Sequence, residues 1–228
     1  MFGREYGGVI THIECRSPFT PTNMRQDKAA GVALIAGPLA GLVTMAFHPT
    51  GHALVADFSR VAIINRTVHG LAIAGTIITT YGLLRLTRQF VRDALTDAAF
   101  VSYAFGAIAV MIAAVASGFV ATDLAAQVLA GGPEARDLYE PARDFGWALN
   151  QATTRVFVVA ASIGIGLWSL AMWREDGWGR GLAVTGVVIA AAAVIATLAG
   201  MPMDIHGFGA VVLGHGTWLV WTGSRMIR

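Results

Sequence analysis

The residues of this chain that are best suited to chemistry are polar side chains gathered at one end of its long apolar segments. Five of the six histidines belong to this set. Imidazole binds zinc, copper and haem iron, and the Arg guanidinium binds carboxylate or phosphate through paired hydrogen bonds. A charged group at bilayer depth costs about 2.5 kcal/mol or more, so we expect it to face a bundle interior and have a partner. The members of the set are His48, His52, Asp57, Arg66, His69, Asp123, Asn150, Gln151, Arg155, Asp204, His206 and His215.

One hypothesis for these residues is a divalent metal site, since histidine nitrogens and carboxylate oxygens are common ligands of such ions. His48 and His52 have the i, i+4 spacing of helical metal ligands, but Pro49 disfavours helical geometry at His48. We therefore expect this segment to form a turn at the end of the first helix. The candidate metal ligands are His48, His52, His69, Asp204 and His206.

A second hypothesis is a pocket that holds a small anionic or lipidic ligand without chemical change. Arg155 lies well inside its apolar segment and is the strongest case for a charge that faces the interior, beside Asn150 and Gln151. A bundle with such a pocket would be a receptor or a small transporter. The candidate ligand-binding residues are Arg66, Asp123, Asn150, Gln151, Arg155 and His215.

Three alternatives stay open at this point. Haem b would take His69 and His215 as axial ligands from two helices. A membrane-embedded hydrolase would use a zinc-bound water against a lipid amide or ester. In a purely structural role, Arg155 would pair with Asp123 or Asp204 to hold helices together, and the protein would assist a larger membrane complex.

Helical periodicity predicts which polar side chains share a face. At about 100° per residue, His206 and His215 are half a turn out of phase, so a straight helix cannot direct both at one ion. Three of the apolar segments each carry one polar stripe, which together predict a central crevice that is widest on the outer side. The stripes are Arg66, His69, Thr76 and Thr80; Trp147, Gln151, Arg155, Ser162 and Ser169; and His215, Trp218, Thr222 and Arg225.

The elements that must position these residues are six apolar segments. With 55% hydrophobic and 13% charged residues, the composition is that of an integral membrane protein rather than a soluble domain. Each segment is near or above the roughly 20 residues that span the hydrocarbon layer. The predicted fold is an all-α bundle of six transmembrane helices, and one hypothesis for its origin is three repeated helical hairpins. The segments run over 29–47, 61–86, 98–124, 145–173, 181–201 and 207–226.

The remaining chain consists of a tail and short loops. The longest loop, roughly residues 123–144, carries turn signals at Gly131, Gly132 and Pro133. Residues 1–28 are expected to be a disordered cytoplasmic tail, with Met24 an alternative start to Met1, and residues 29–228 form the membrane domain. Eleven of the 16 Lys and Arg residues lie on one side, which predicts an inner (plasma) membrane protein with both termini cytoplasmic. The expected partners are the lipid bilayer, a second copy or a larger membrane complex, and not nucleic acid. Abundant Gly, Ala and Arg suggest a bacterial source.

Overall fold

The computed structural model describes residues 21–49, 58–90, 93–175 and 177–228, and these residues are helical almost throughout. The predicted all-α fold is confirmed. The π-helical turn Ala116–Val120 joins α3 and α4 into one continuous column, because the chain remains helical on both of its sides. The helices are α1 (Pro21–Ala46), α2 (Phe58–Thr87), α3 (Ala94–Val115), α4 (Ala121–Ala130), α5 (Gly132–Arg174), α6 (Arg180–Leu198) and α7 (Ile205–Ile227).

Among the described residues, five helical segments are long and apolar enough to cross a membrane. The sixth predicted segment forms α7, whose 23 residues include two histidines and several glycines that dilute its hydropathy. That six helices span a bilayer, and that they derive from three repeats, remain predictions. The five segments are Asp27–Ala46, Phe58–Thr87, Ala94–Ala130, Tyr139–Arg174 and Arg180–Leu198.

Two predicted boundaries differ from the structure. Helix α1 begins at Pro21, inside the segment expected to be disordered, and proline is well tolerated in the first turn of a helix. Residues 1–20 lie outside the described part of the chain. The predicted turn at Gly131, Gly132 and Pro133 is present, with Gly132 at a φ of 65°. The connection around it is mostly helical, because α4 runs up to the turn and α5 begins directly after it.

The helices form a closed ring in which each neighbouring pair is antiparallel. Helix α1 packs against α2 and α7, α2 packs against α3, α3 against α5, α5 against α6, and α6 against α7. One end of the ring, here called the His48 end, contains the end of α1 and the beginnings of α2 and α7. The opposite end, here called the Arg225 end, contains the beginning of α1 and the end of α7. The main buried cluster, with Trp168, Trp218 and Leu83, fills the half of the ring toward the Arg225 end.

Helix α1 closes the ring through glycine contacts with both of its neighbours. A Cβ atom at Gly75 of α2 would lie 2.8 Å from the backbone oxygen of Gly37, and one at Gly31 would lie 2.7 Å from the oxygen of Gly223 on α7. Such small residues let helix backbones approach closely where lipid supplies no hydrophobic drive for association. The close contacts of α1 with α2 and α7 therefore require glycine at these positions.

Gly75→Ala should destabilise the protein, because the added methyl group meets the α1 backbone. Overpacking of this kind costs about 1–3 kcal/mol. Gly70→Ala on the same helix is the matched control, since a Cβ there meets nothing within 4 Å. Alanine is the better helix former, so this control should keep or raise the melting temperature. Thermal unfolding of both variants in detergent measures the difference. Equal melting temperatures for the two would contradict the close contact.

Candidate functional site

A cavity opens at the His48 end and runs into the centre of the ring. Its wider part, the outer chamber, has a volume of about 280 Å³, and its deeper part, the inner chamber, about 90 Å³. Along α2 the lining extends from His69 to Thr79, which is about 15 Å at 1.5 Å per residue. The chambers adjoin each other, because both are lined by Thr44, Met45, Ala72, Val110 and Phe208.

The outer chamber contains two neighbouring imidazoles, those of His48 and His69, whose ring centroids are 5.0 Å apart. His69 Nδ1 lies 2.8 Å from the backbone oxygen of Asn65, and His48 Nδ1 lies 3.0 Å from that of Pro49. A carbonyl oxygen only accepts, so each Nδ1 carries a hydrogen and donates it. In the uncharged rings this leaves both Nε2 atoms as acceptors without a backbone partner.

The charge state of His48 follows from its position just beyond the end of α1. Burial lowers the pKa of His48 below its usual value, and the hydrogen bond to the Pro49 carbonyl offsets only part of this effect. The ring is therefore uncharged at neutral pH. An uncharged imidazole with its Nδ1–H on a carbonyl presents Nε2 as a hydrogen-bond acceptor or as a metal ligand.

The π-helical turn Ala116–Val120 holds His69 in place. Gly118 has no side chain, and the Cβ and Cγ atoms of His69 occupy the space that a side chain there would fill. A π-helical turn interrupts the regular hydrogen bonds of the helix, and such turns are frequent at functional sites. The amide of Asn65 donates to the Ser117 backbone oxygen at 2.8 Å and to Thr122 Oγ1 at 3.0 Å. His69 and the turn are thus fixed by one network.

Asn150 lies on the far side of the same turn. Its Nδ2 donates to Ser117 Oγ at 2.7 Å and to the backbone oxygen of Ala113 at 3.2 Å. The sequence predicted Asn150 as a site residue, whereas Asn65, Ser117 and Thr122 were missed. A buried Asn inside an apolar helix was the available signal for Asn65, because a buried amide needs hydrogen-bond partners.

The inner chamber is lined by His215 of α7. His215 Nε2 and Ser162 Oγ are 3.0 Å apart, and its Nδ1 is buried without a hydrogen-bond partner among the described residues. Tyr103 and Phe157 line the same chamber. His206, by contrast, is exposed at the beginning of α7. The half-turn phase difference between the two histidines thus separates them in the structure.

The expectation that Arg155 faces inward is wrong, because the residue is exposed. On α5 and α6, Gly166 packs beside Ala190, and a Cβ at Gly186 would meet Ser169. If the same antiparallel pairing of α5 with α6 is extended toward the beginning of α5, Arg155 lies opposite Met201. Helix α6 ends at Leu198, so none of the described helices covers that face of α5.

Two other predicted ligand-binding residues have partners outside the imidazole pair. Arg66 forms an exposed ion pair with Asp123, which links α2 to α4. Gln151 donates from Nε2 to the backbone oxygen of Met203 at 3.1 Å and thereby holds the connection before α7. The predicted pairing of Arg155 with Asp123 is therefore replaced by the pair of Arg66 with Asp123.

Of the predicted metal ligands, the structure brings His48 and His69 together. Asp204 caps α7, because its Oδ1 accepts from the backbone N–H groups of His206 and Gly207, both at 2.9 Å. His52 and Asp57 lie outside the described residues. Within the described ranges, no group of three or more His, Cys, Asp or Glu side chains is placed to hold a metal ion.

Asp204→Ala should lower the melting temperature, whereas Asp204→Asn should nearly preserve it, because an amide oxygen also caps a helix. The hydrogen bond from Gly207 and then that from His206 lower the pKa of Asp204. A group with a lowered folded-state pKa stabilises the fold above its unfolded pKa, and this contribution is lost as the pH falls through the folded pKa. The difference between wild type and Asp204→Ala should therefore shrink in acid, as measured by thermal unfolding across pH. If Asp204→Asn lowered the melting temperature as much as Asp204→Ala does, the capping role would be contradicted.

Comparisons of the chain with protein-family models, with curated proteins and with solved structures found no match. The function is therefore inferred from the residues of the cavity themselves.

Proposed function

We propose that this chain is an integral membrane protein of six transmembrane helices, with both termini cytoplasmic, that binds a small uncharged molecule in its central cavity. The ligand is largely apolar and carries at least one hydroxyl group, as a phenol or a hydroquinone does. The observation that carries the proposal is the pair of Nε2 acceptors of His48 and His69 in a cavity with an otherwise mostly apolar lining.

The inclusion of α7 as a sixth spanning helix is supported by its place in the ring. It packs against α1 and α6, and Trp218 and Thr222 on it are fully buried. The excess of Lys and Arg on the side of the Arg225 end supports a cytoplasmic location for that end. The cavity would then open toward the opposite face of the membrane.

An uncharged ligand is favoured by the absence of a cation among the described residues that line the chambers. Anion recognition needs Arg or Lys in contact with the ligand. Arg66 is engaged by Asp123, and Arg155 lies on an exposed face of α5. The acid on the lining, Asp204, uses its Oδ1 to cap α7.

A ligand with a hydroxyl group is favoured by the hydrogen-bonding state of the lining. Both Nε2 atoms accept, so they match a donor on the ligand rather than a carbonyl. The surrounding side chains of Val110, Phe208 and Met45 match an apolar ring. Ligand sites of this kind combine an apolar lining with a few placed polar groups.

A second candidate is a metal ion held by the same two Nε2 atoms. Metal-binding histidines characteristically donate their other ring N–H to a carbonyl or carboxylate, which is the arrangement of both His48 and His69. The thioether of Met45, which also lines both chambers, would favour Cu(I). The hydrolytic alternative depends on this same site, because it requires a metal-bound water.

His69→Phe should weaken the binding of phenol or hydroquinone at least tenfold, because it removes the acceptor and keeps the ring. The matched control is His206→Phe, since His206 is an exposed histidine outside the cavity. Titration calorimetry of the protein in nanodiscs measures the affinities. Benzoate, an aromatic anion of similar size, should bind to the wild-type protein at least tenfold more weakly than phenol does.

Three outcomes would decide against an uncharged hydroxyl ligand. Tighter binding of benzoate than of phenol would favour an anionic ligand. Stoichiometric binding of Cu(I) or Zn²⁺ that is lost in His48→Phe and His69→Phe, without phenol binding, would favour the metal site. Equal loss of affinity in His206→Phe would show that the imidazole pair is not the binding site.

A further inference from the structure

A further cavity lies at the Arg225 end of the ring and shares no lining residue with the two chambers. It has a volume of about 350 Å³ and lies between α1, α7 and the residues that follow α2 and α5. Its described lining contains the cationic side chains of Lys28, Arg225 and Arg228 and the acidic side chain of Asp27. The described residues that line the chambers include no Lys or Arg. The two ends of the ring therefore differ in electrostatic character.

The walls of this cavity, here called the Arg225 cavity, are held by contacts of the loop that follows α5. The ring of Trp178 in this loop stacks on that of Phe90, just beyond α2, with centroids 5.7 Å apart. Arg225 Nη2 donates to the backbone oxygens of Trp178 at 2.9 Å and Gly177 at 3.4 Å. A guanidinium has five N–H donors, and those on Nε and Nη1 of Arg225 make no hydrogen bond to the described residues. Arg225 thus fixes the loop and keeps donors for a ligand.

The charge of the Arg225 cavity is positive, because its acid is engaged elsewhere. Asp27 Oδ1 lies 3.7 Å from Nη2 of Arg85, a residue of α2 that does not line the cavity. The ion pairs formed between described residues include neither Lys28 nor Arg225, and both side chains are exposed. Two cations from two different helices therefore line one space, and an anion between them would bind to both.

The Arg225 cavity lies where the apolar spans end. Lys28 is the second residue of the span Asp27–Ala46, and Gln89 follows the span Phe58–Thr87 by two positions. Trp178 lies in the loop between α5 and α6, and tryptophan is enriched at the boundary between membrane and water. Lipid phosphates occupy this depth, and basic pockets between spanning helices bind anionic headgroups there. In the proposed membrane placement, the cavity is therefore level with the headgroup layer.

We propose that the Arg225 cavity binds the phosphate group of an anionic phospholipid from the adjoining leaflet. Lys28 and Arg225 bind the phosphate oxygens from α1 and α7, so the bound lipid joins these two helices. Met226 and Ile227, which also line the cavity, supply an apolar part that suits the glycerol and acyl carbons of a lipid better than a soluble phosphate. The inference rests on the membrane placement in the proposed function and is independent of the uncharged ligand in the central cavity.

The test is native mass spectrometry of the detergent-solubilised protein with dioleoylphosphatidylglycerol or dioleoylphosphatidylcholine, which share acyl chains and a phosphodiester but differ in net charge. The wild-type protein should bind phosphatidylglycerol at least tenfold more tightly. Each cation near an anionic lipid contributes about fivefold, so the double variant Lys28→Gln, Arg225→Gln should lose most of this preference. The matched control is Arg88→Gln, Arg174→Gln, which removes the same charge from exposed residues outside the cavity and should behave as wild type.

Equal affinity of the wild-type protein for the two lipids would overturn the proposal, and so would an equal loss of preference in the control. Displacement of phosphatidylglycerol by excess inorganic phosphate would assign the cavity to a soluble phosphate compound instead of a lipid.

The single variant Lys28→Gln keeps the hydrogen bonds of Arg225 to the loop and provides the test where the double variant does not fold. It should bind phosphatidylglycerol about fivefold more weakly than the wild type. An unchanged affinity would contradict the site. Phenol binding should persist in Lys28→Gln, which separates this proposal from the proposed ligand of the central cavity.

Discussion

The contact between His69 and the backbone of Gly118 is the constraint that connects the fold to the cavity. It requires a residue without a side chain in the π-helical turn, and the turn in turn frees carbonyl groups that a regular helix would bond internally. Asn65 of α2, one helical turn before His69, donates to the backbone oxygen of Ser117 in this turn. Asn150 of α5 donates to the Ser117 hydroxyl. Three helices are thereby fixed around one imidazole, whose remaining nitrogen is directed to the ligand in our proposal.

Much of the fold was predictable from the sequence, because apolar length and glycine placement determine it locally. The apolar segments, the turn at Gly131 and Gly132, and the inward positions of His69 and His215 follow from hydropathy and helical phase. The exposure of Arg155 does not follow, because it depends on where the neighbouring α6 ends. The π-helical turn was equally hidden, since its residues continue the hydropathy pattern of the flanking helices. Asn65 became recognisable as a site residue only through its tertiary partners.

The interior combines polarity with a near absence of charge. The described ion pairs lie at the surface or toward the helix ends, as in the exposed pair of Arg66 with Asp123. Inside the ring the polar atoms belong to imidazole, amide, indole and hydroxyl groups, which are far less costly to bury than ions. In our proposal, a cavity built in this way disfavours ionic ligands.

In the proposed membrane orientation, the exposed guanidinium of Arg155 has a consequence for the depth of α5 in the bilayer. A long cationic side chain on the outer surface of a spanning helix extends toward lipid phosphates and fixes the depth of the helix in the bilayer. Thr154, the preceding residue, lines the outer chamber. In the proposed orientation, the headgroup layer therefore meets the protein close to the chamber mouth, and an amphiphilic guest would arrive by lateral diffusion within the leaflet rather than from bulk solvent.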